Sequence, residues 1–177
     1  MEITTVSSRV VYRNPWMSVR EDQIIRPDGS HGIYGVVDKP AFATIAAHEN
    51  GGFHLVQQHR YPTGIRSWEF PQGTYDSTDP ETVARTELAQ ETGITAESMR
   101  YLGTLYNAPG LTSQACHAFL ATGLTHGQPN PDREEQDLTH RWFSLTDFET
   151  MIRDGRTIET VTLATYTLLR LRGLISP

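Results

Sequence analysis

Glu87 and Glu91 stand four residues apart in DPETVARTELAQETG, a segment that opens on Asp79-Pro80 and closes at Gly93. On a helix that spacing sets two carboxylates side by side at about 5–6 Å, near enough to share one cation or bridge two. A hard ion such as Mg²⁺ takes oxygen donors of this kind and often needs only one or two carboxylates, with water and phosphate oxygens completing its shell. The same spacing also describes an ordinary solvated helix face, and spacing alone leaves both readings open. Arg60 and Arg66 carry planar guanidinium groups that match phosphate bidentately, and they read equally well as surface arginines. Other reactive types are less suggestive. Cys116 and His117 have no partner at triad spacing, and His54 and His59 show no metal-ligand pattern. Trp16, Tyr34 and Trp68 could stack a base, although aromatic residues in strands more often pack.

The elements that must position these groups follow from turn chemistry and periodicity. Short extended runs occur at Val10–Tyr12, Met17–Ile25, Gly32–Val37, Phe42–Ala47 and Phe53–Gln58, divided by Asn14-Pro15, Pro27-Asp28-Gly29, Lys39-Pro40 and Asn50-Gly51-Gly52. Asn-Gly between two apolar runs predicts a tight hairpin. Asp79 as N-cap, Pro80 in the first turn and Gly93 as stop predict a helix over Pro80–Thr92, with Val83, Ala84 and Leu88 on its buried side. Further strands are expected near Met99–Tyr106, Ala115–Ala121 and His140–Ser144, and helices over Leu145–Arg153 and Glu159–Arg172. Between the last strands, Thr125 to Asp137 is polar and rich in Gly, Pro and charge, which predicts a mobile loop. Strands, a helix, strands and then helices imply an α/β or α+β fold with a mixed sheet between helices.

At 177 residues the chain is expected to form one domain. Its 15 Lys and Arg against 21 Asp and Glu leave a net charge of −6, which argues against a broad nucleic-acid footprint. No apolar run approaches the roughly 20 residues of a membrane span. The N-terminus has no signal-peptide core, and the one cysteine fits a reducing cytoplasm.

Gly73 to Ile94 resembles the Nudix box, in which a glycine is followed by five residues, Glu, seven residues and then Arg-Glu-apolar-x-Glu-Glu-x-Gly-apolar. Glu87, Leu88, Glu91, Gly93 and Ile94 fall on that pattern. Thr86 stands in place of its Arg and Gln90 in place of one Glu. The stretch from glycine to helix is one residue short, so Asp79 or Glu81 meets the upstream acid only loosely. The lead-in Gln57-Gln58-His59-Arg60-Tyr61-Pro62 with Trp68-Glu69-Phe70-Pro71-Gln72-Gly73, and the later Ala108-Pro109-Gly110, are similar to the ADP-ribose pyrophosphatase group of that family.

The resemblance implies a Nudix fold over 1–177, with N-terminal strands over 1–40 that build a homodimer and the box at 73–94. It implies Mg²⁺, with Mn²⁺ as a substitute, held by Glu87, Glu91 and the Gly73 carbonyl, to which Gln90 adds only a neutral amide oxygen. Arg60, Arg66 and Glu69 would face the substrate. Glu91 with Glu134 and Glu135 would carry the catalysis, one loop carboxylate activating water and Asp137 standing third. The implied reaction splits the pyrophosphate of a nucleoside diphosphate sugar, ADP-ribose giving AMP and ribose 5-phosphate. The alternatives are another substrate (a GDP-sugar, a dinucleoside polyphosphate or NADH) and, given Thr86 and Gln90, a catalytically weak nucleotide-binding module.

Overall fold

A computed structural model describes residues 2–74, 79–130, 137–157 and 159–175, which fold as two units. The first holds residues up to 41 together with 106–115. Its sheet is an antiparallel meander of β1 (Thr4–Arg13), β2 (Ser18–Ile25) and β3 (His31–Asp38) in that order. Both turns arise from local polar chemistry. The Asn14 side chain accepts from the Trp16 and Met17 N–H groups at 2.9 Å, and Asp28 accepts from Ser30 at 2.9 Å beside Gly29, whose φ of 84° lies in the region that glycine tolerates. The returning segment binds through Val37 N–H to the Leu111 carbonyl and through the Tyr34 hydroxyl to the Gly110 carbonyl. β1 is exposed along its whole length, Val6, Val10, Val11 and Tyr12 included.

The second unit is built on a sheet ordered β10-β5-β4-β9-β8, with β6 paired to β5 and β7 to β4. The strands are β4 (Phe42–Glu49), β5 (Gly52–Arg60), β6 (Ile65–Glu69), β7 (Gln72–Thr74), β8 (Ile94–Tyr106), β9 (Ala115–His126) and β10 (Thr139–Ser144). β4 runs parallel to β9 and antiparallel to β5 and β7, so the sheet is mixed. Alternate residues of a strand face opposite sides, and helices cover both sides of this one. Ala43, Ile45 and Ala47 meet Val83, Ala84 and Leu88 of α1 (Pro80–Thr92). Ala46, Phe53, Leu55 and Leu120 pack with Phe148 and Met151 of α2 (Leu145–Arg153) and Leu169 of α3 (Thr160–Leu171). Double coverage explains why Phe42 to Ala47 is buried throughout, and apolar at every position but Thr44, instead of alternating. The mixed sheet between helices agrees with the sequence reading. Among the described residues no helix is long and apolar enough to cross a membrane.

The Asn50-Gly51 turn joins β4 and β5 with φ values of 50° and 69°, the two-residue geometry that matches strand twist. The structure departs from expectation elsewhere. β8 begins at Ile94, close behind α1, because pairing with β9 outweighs the low strand preference of Ala96 and Glu97. β9 continues through Thr125 and His126, which takes the first residues out of the expected loop. β6 and β7 were not expected, since Pro71 breaks the local pattern and only pairing to β5 and β4 makes them strands.

Candidate active site

The helix that carries the paired glutamates is fixed at both ends. The Asp79 side chain accepts from the Glu81 and Thr82 N–H groups at 3.3 and 3.1 Å, Pro80 fills the first turn, and Gly93 closes the helix at φ 73° with its N–H on the Ala89 carbonyl. Arg85 holds Glu81 at 2.8 Å and the Ala96 carbonyl at 2.7 Å. Apolar burial of Val83, Ala84 and Leu88 then turns Glu87 and Glu91 toward β7.

There the two carboxylates meet backbone. A Cβ built on Gly73 would overlap the Glu87 carboxyl carbon and both of its oxygens, so this carboxylate occupies space that only a glycine leaves open. Glu91, one turn further, is 1% exposed and accepts from the Gln72 N–H at 3.1 Å. The reading of these residues as a solvated helix face fails for Glu91, because a charge so buried has to be matched by partners or by a cation. Gln90 is half-buried and its backbone carbonyl accepts from Asn130. Thr86 is exposed, with its hydroxyl on the Thr82 carbonyl at 2.9 Å.

Arg60 and Glu69 adjoin this pair. The Glu69 side chain is fully buried and accepts from Arg60 Nε at 3.1 Å, from the Arg60 guanidinium a second time, and from Gln72 Nε2 at 2.7 Å. Arg60 also lies in the field of Glu159 and Glu91. Arg66 stands apart, exposed and paired with Asp137. The structure thus brings together Arg60, Glu69, Gly73, Glu87 and Glu91, and leaves Arg66 outside the group. Glu134 and Glu135 lie outside the described residues, as does the shortened stretch over 75–78.

These donors fit a hard divalent cation. Glu87 and Glu91 supply carboxylate oxygens beside the backbone of a glycine strand, an all-oxygen set of the kind Mg²⁺ prefers.

Two family models cover most of the chain: a nucleoside diphosphate sugar hydrolase N-terminal domain over residues 3–37 and a NUDIX domain over residues 38–161. The chain belongs to the Nudix hydrolase family. Its Nudix domain contains α1, β7 and the residues gathered around them. An ADP-ribose pyrophosphatase of Mycobacterium tuberculosis is 30% identical over 167 residues, 92% of this chain and 81% of that protein. A CMP-5'-(N-acetyl-N-hydroxy-3-aminopropyl)phosphonate hydrolase of Streptomyces rubellomurinus is 29% identical over 85% of this chain and 73% of its own length. The crystal structure of an ADP compounds hydrolase superposes with a TM-score of 0.86 over 98% of this chain and 96% of that one, at 19% identity, and shares the fold. This Nudix chain is a pyrophosphohydrolase.

Other residues of the Nudix domain resolve plainly. Burial pushes the Cys116 thiol well above its ordinary value, which removes it as a nucleophile. Trp68 packs edge-on against Phe143, while Trp16, in the first unit, is exposed beside a cleft lined by Met17 and Lys39. His54 does belong to a group with metal-ligand geometry, contrary to its sequence reading: Glu49, His54 and His126 offer ligand atoms within 4.8 Å of one another. His126 comes from a distant strand, so linear spacing gives no sign of it. The predicted hairpin alone could have placed Glu49 diagonally across from His54.

Proposed function

We propose that this Nudix hydrolase cleaves the pyrophosphate of ADP-ribose to AMP and ribose 5-phosphate, with Mg²⁺ or Mn²⁺ held by Glu87, Glu91 and the Gly73 carbonyl and with Gln90 as a weak, neutral neighbour. The carrying observation is the Glu87 carboxylate seated against the Cβ-less Gly73, one turn from buried Glu91. The M. tuberculosis relative supports the choice of substrate.

When bound, the cation screens the pyrophosphate oxygens and lowers the cost of charge that develops at phosphorus. The protein's residues do the rest. Glu69 fixes the Arg60 guanidinium, and the remaining Arg60 donors are available to orient a phosphate without a loss of side-chain freedom on binding. Gln72 links Glu69 to Glu91, its side chain donating to the first and its N–H to the second, so the anion-orienting and cation-holding groups are set by one residue. Arg66 is assigned a peripheral substrate contact. Glu134 or Glu135 is assigned as the base that takes the proton of the attacking water, with Glu91 assisting.

We also assign the chain to a homodimer in the cytoplasm. The exposed Val6, Val10, Val11 and Tyr12 on β1 support the first, as an apolar surface of this kind commonly marks an interface, and the lone cysteine supports the second.

The test is product analysis on a panel of ADP-ribose, GDP-mannose, a dinucleoside polyphosphate and NADH, with Mg²⁺, with Mn²⁺ and with chelator. AMP and ribose 5-phosphate formed fastest from ADP-ribose, and only with metal, is the expected result. A higher kcat/KM on another member of the panel overturns the substrate, and binding without turnover on any of them overturns the enzyme.

A further inference from the structure

Four neighbouring strands, β10-β5-β4-β9, bring His140, His54, Glu49 and His126 to one end of the sheet. Ala43, which pairs with Gly73, lies six residues before Glu49 on β4, so this cluster sits on the order of 20 Å along the strand from Gly73 and borders only the Gly93 end of α1. His54 Nε2 and His126 Nε2 converge on the same oxygen, Glu49 Oε1, at 2.6 and 2.7 Å. Two imidazole nitrogens and a carboxylate oxygen within 4.8 Å of one another form a donor set of the kind found in zinc sites that keep an open fourth position. His54 is 4% exposed, and its other nitrogen, Nδ1, meets His140 Nε2 at 2.9 Å.

We propose that Glu49, His54 and His126 form a second divalent-cation site of zinc type, with His140 as the partner that orients the His54 ring.

The chemistry of each group agrees. Burial disfavours the charged forms of His54 and His140, so both are neutral near pH 7 and His54 keeps a ring lone pair for an ion. Burial works against the Glu49 charge, but the hydrogen bonds from His54 and His126 outweigh it and hold the carboxyl below its ordinary value, which keeps it anionic. A zinc–ligand distance of about 2.0–2.2 Å places one ion among three atoms that lie within 4.8 Å of each other. With Nε2 on the ion, the proton of His54 moves to Nδ1 and is donated to His140 Nε2, the kind of bond that fixes a ligating imidazole's tautomer. The Gly127 N–H, next in sequence to His126, donates to the Gly93 carbonyl at 2.8 Å, so His126 adjoins the C-terminal end of α1, where the helix dipole favours a cation. The His126 side chain is 55% exposed, which leaves the fourth position open to water. Imidazole selects zinc-class ions over Mg²⁺, which separates this site chemically from the all-oxygen box.

The test uses full-length protein carrying Glu87→Gln and Glu91→Gln, so that the box does not contribute, stripped with chelator and titrated with Zn²⁺ against a chromophoric competitor in millimolar Mg²⁺. One zinc per chain should remain through desalting, and Co²⁺ in its place should show the visible absorption of a low-coordinate site. His126→Ala and Glu49→Gln should each weaken zinc by about 100-fold or more, and His140→Ala, which leaves all three ligands, by about 10- to 100-fold. His126 is exposed, so its variant should keep the parent's circular dichroism. Zinc affinity unchanged by His126→Ala, or zinc lost from the parent on desalting, overturns the proposal.

Discussion

Replacing Gly73 by alanine separates the role of this glycine in the site from any role in the fold. A Cβ there would lie 2.0–2.2 Å from the carboxyl carbon and oxygens of Glu87, whereas ordinary contact begins at 3.4 Å, so the carboxylate has to retreat by more than about 1 Å. The cost to the fold is small. Gly73 has no positive φ, and the atoms that must yield are the far end of a flexible side chain, so stability should change by less than about 1 kcal/mol. The cost to the chemistry is large, because a cation-holding carboxylate misplaced by about 1 Å is expected to lower turnover on the order of 10²-fold, or about 2.7 kcal/mol. The assay is kcat for ADP-ribose across a Mg²⁺ titration, run beside denaturant unfolding of the same preparation. Wild-type turnover and metal requirement in a folded Gly73→Ala protein would refute the placement of Glu87 in the metal site. A loss of activity matched by a loss of several kcal/mol of stability would refute the claim that the effect is local.

Three further outcomes follow from other parts of the molecule. Gln90→Glu restores a carboxylate one turn from Glu87 and should lower the Mg²⁺ concentration for half-maximal rate; an unchanged titration would place residue 90 away from the ion. Arg60→Ala leaves the fully buried Glu69 with Gln72 but without its Arg60 partner, and should cost about 3 kcal/mol in denaturant unfolding, whereas a cost below about 1 kcal/mol would contradict a buried ion pair here. Burial lowers the His140 pKa from 6.5 to about 4 and that of His54 in the same direction, in a cluster that also holds Glu49 and His126. The unfolded chain therefore takes up protons first, and stability should fall as pH drops through 6.5 toward about 4 and be unaffected by these groups above it. A His140→Asn variant should show a shallower decline, and a slope equal to wild type would contradict the assignment.

The local signals were legible and the long-range ones were not. Asp79-Pro80 and Gly93 bounded α1 because caps and stops act within a few residues, and Asn50-Gly51 made its hairpin for the same reason. The box pattern brought Gly73 and Glu87 together across a stretch that no periodicity describes, and the structure seats one against the other. Burial of Glu91 and the bond from Glu69 to Arg60 depend on how β5, β6 and β7 pair, and Pro71 concealed that pairing. The cluster of Glu49, His54, His126 and His140 was invisible in sequence because four separate strands contribute to it.

The central claim is that Glu87 and Glu91 hold the cation on which hydrolysis depends. The most direct measurement is turnover of ADP-ribose at saturating Mg²⁺ by wild type, Glu87→Gln and Glu91→Gln. Glutamine keeps an acceptor for the Gln72 N–H, so the fold should persist while kcat falls on the order of 10²-fold or more in each variant, about 3 kcal/mol of transition-state stabilisation. Near-normal turnover in both variants, folded and metal-saturated, would contradict the account.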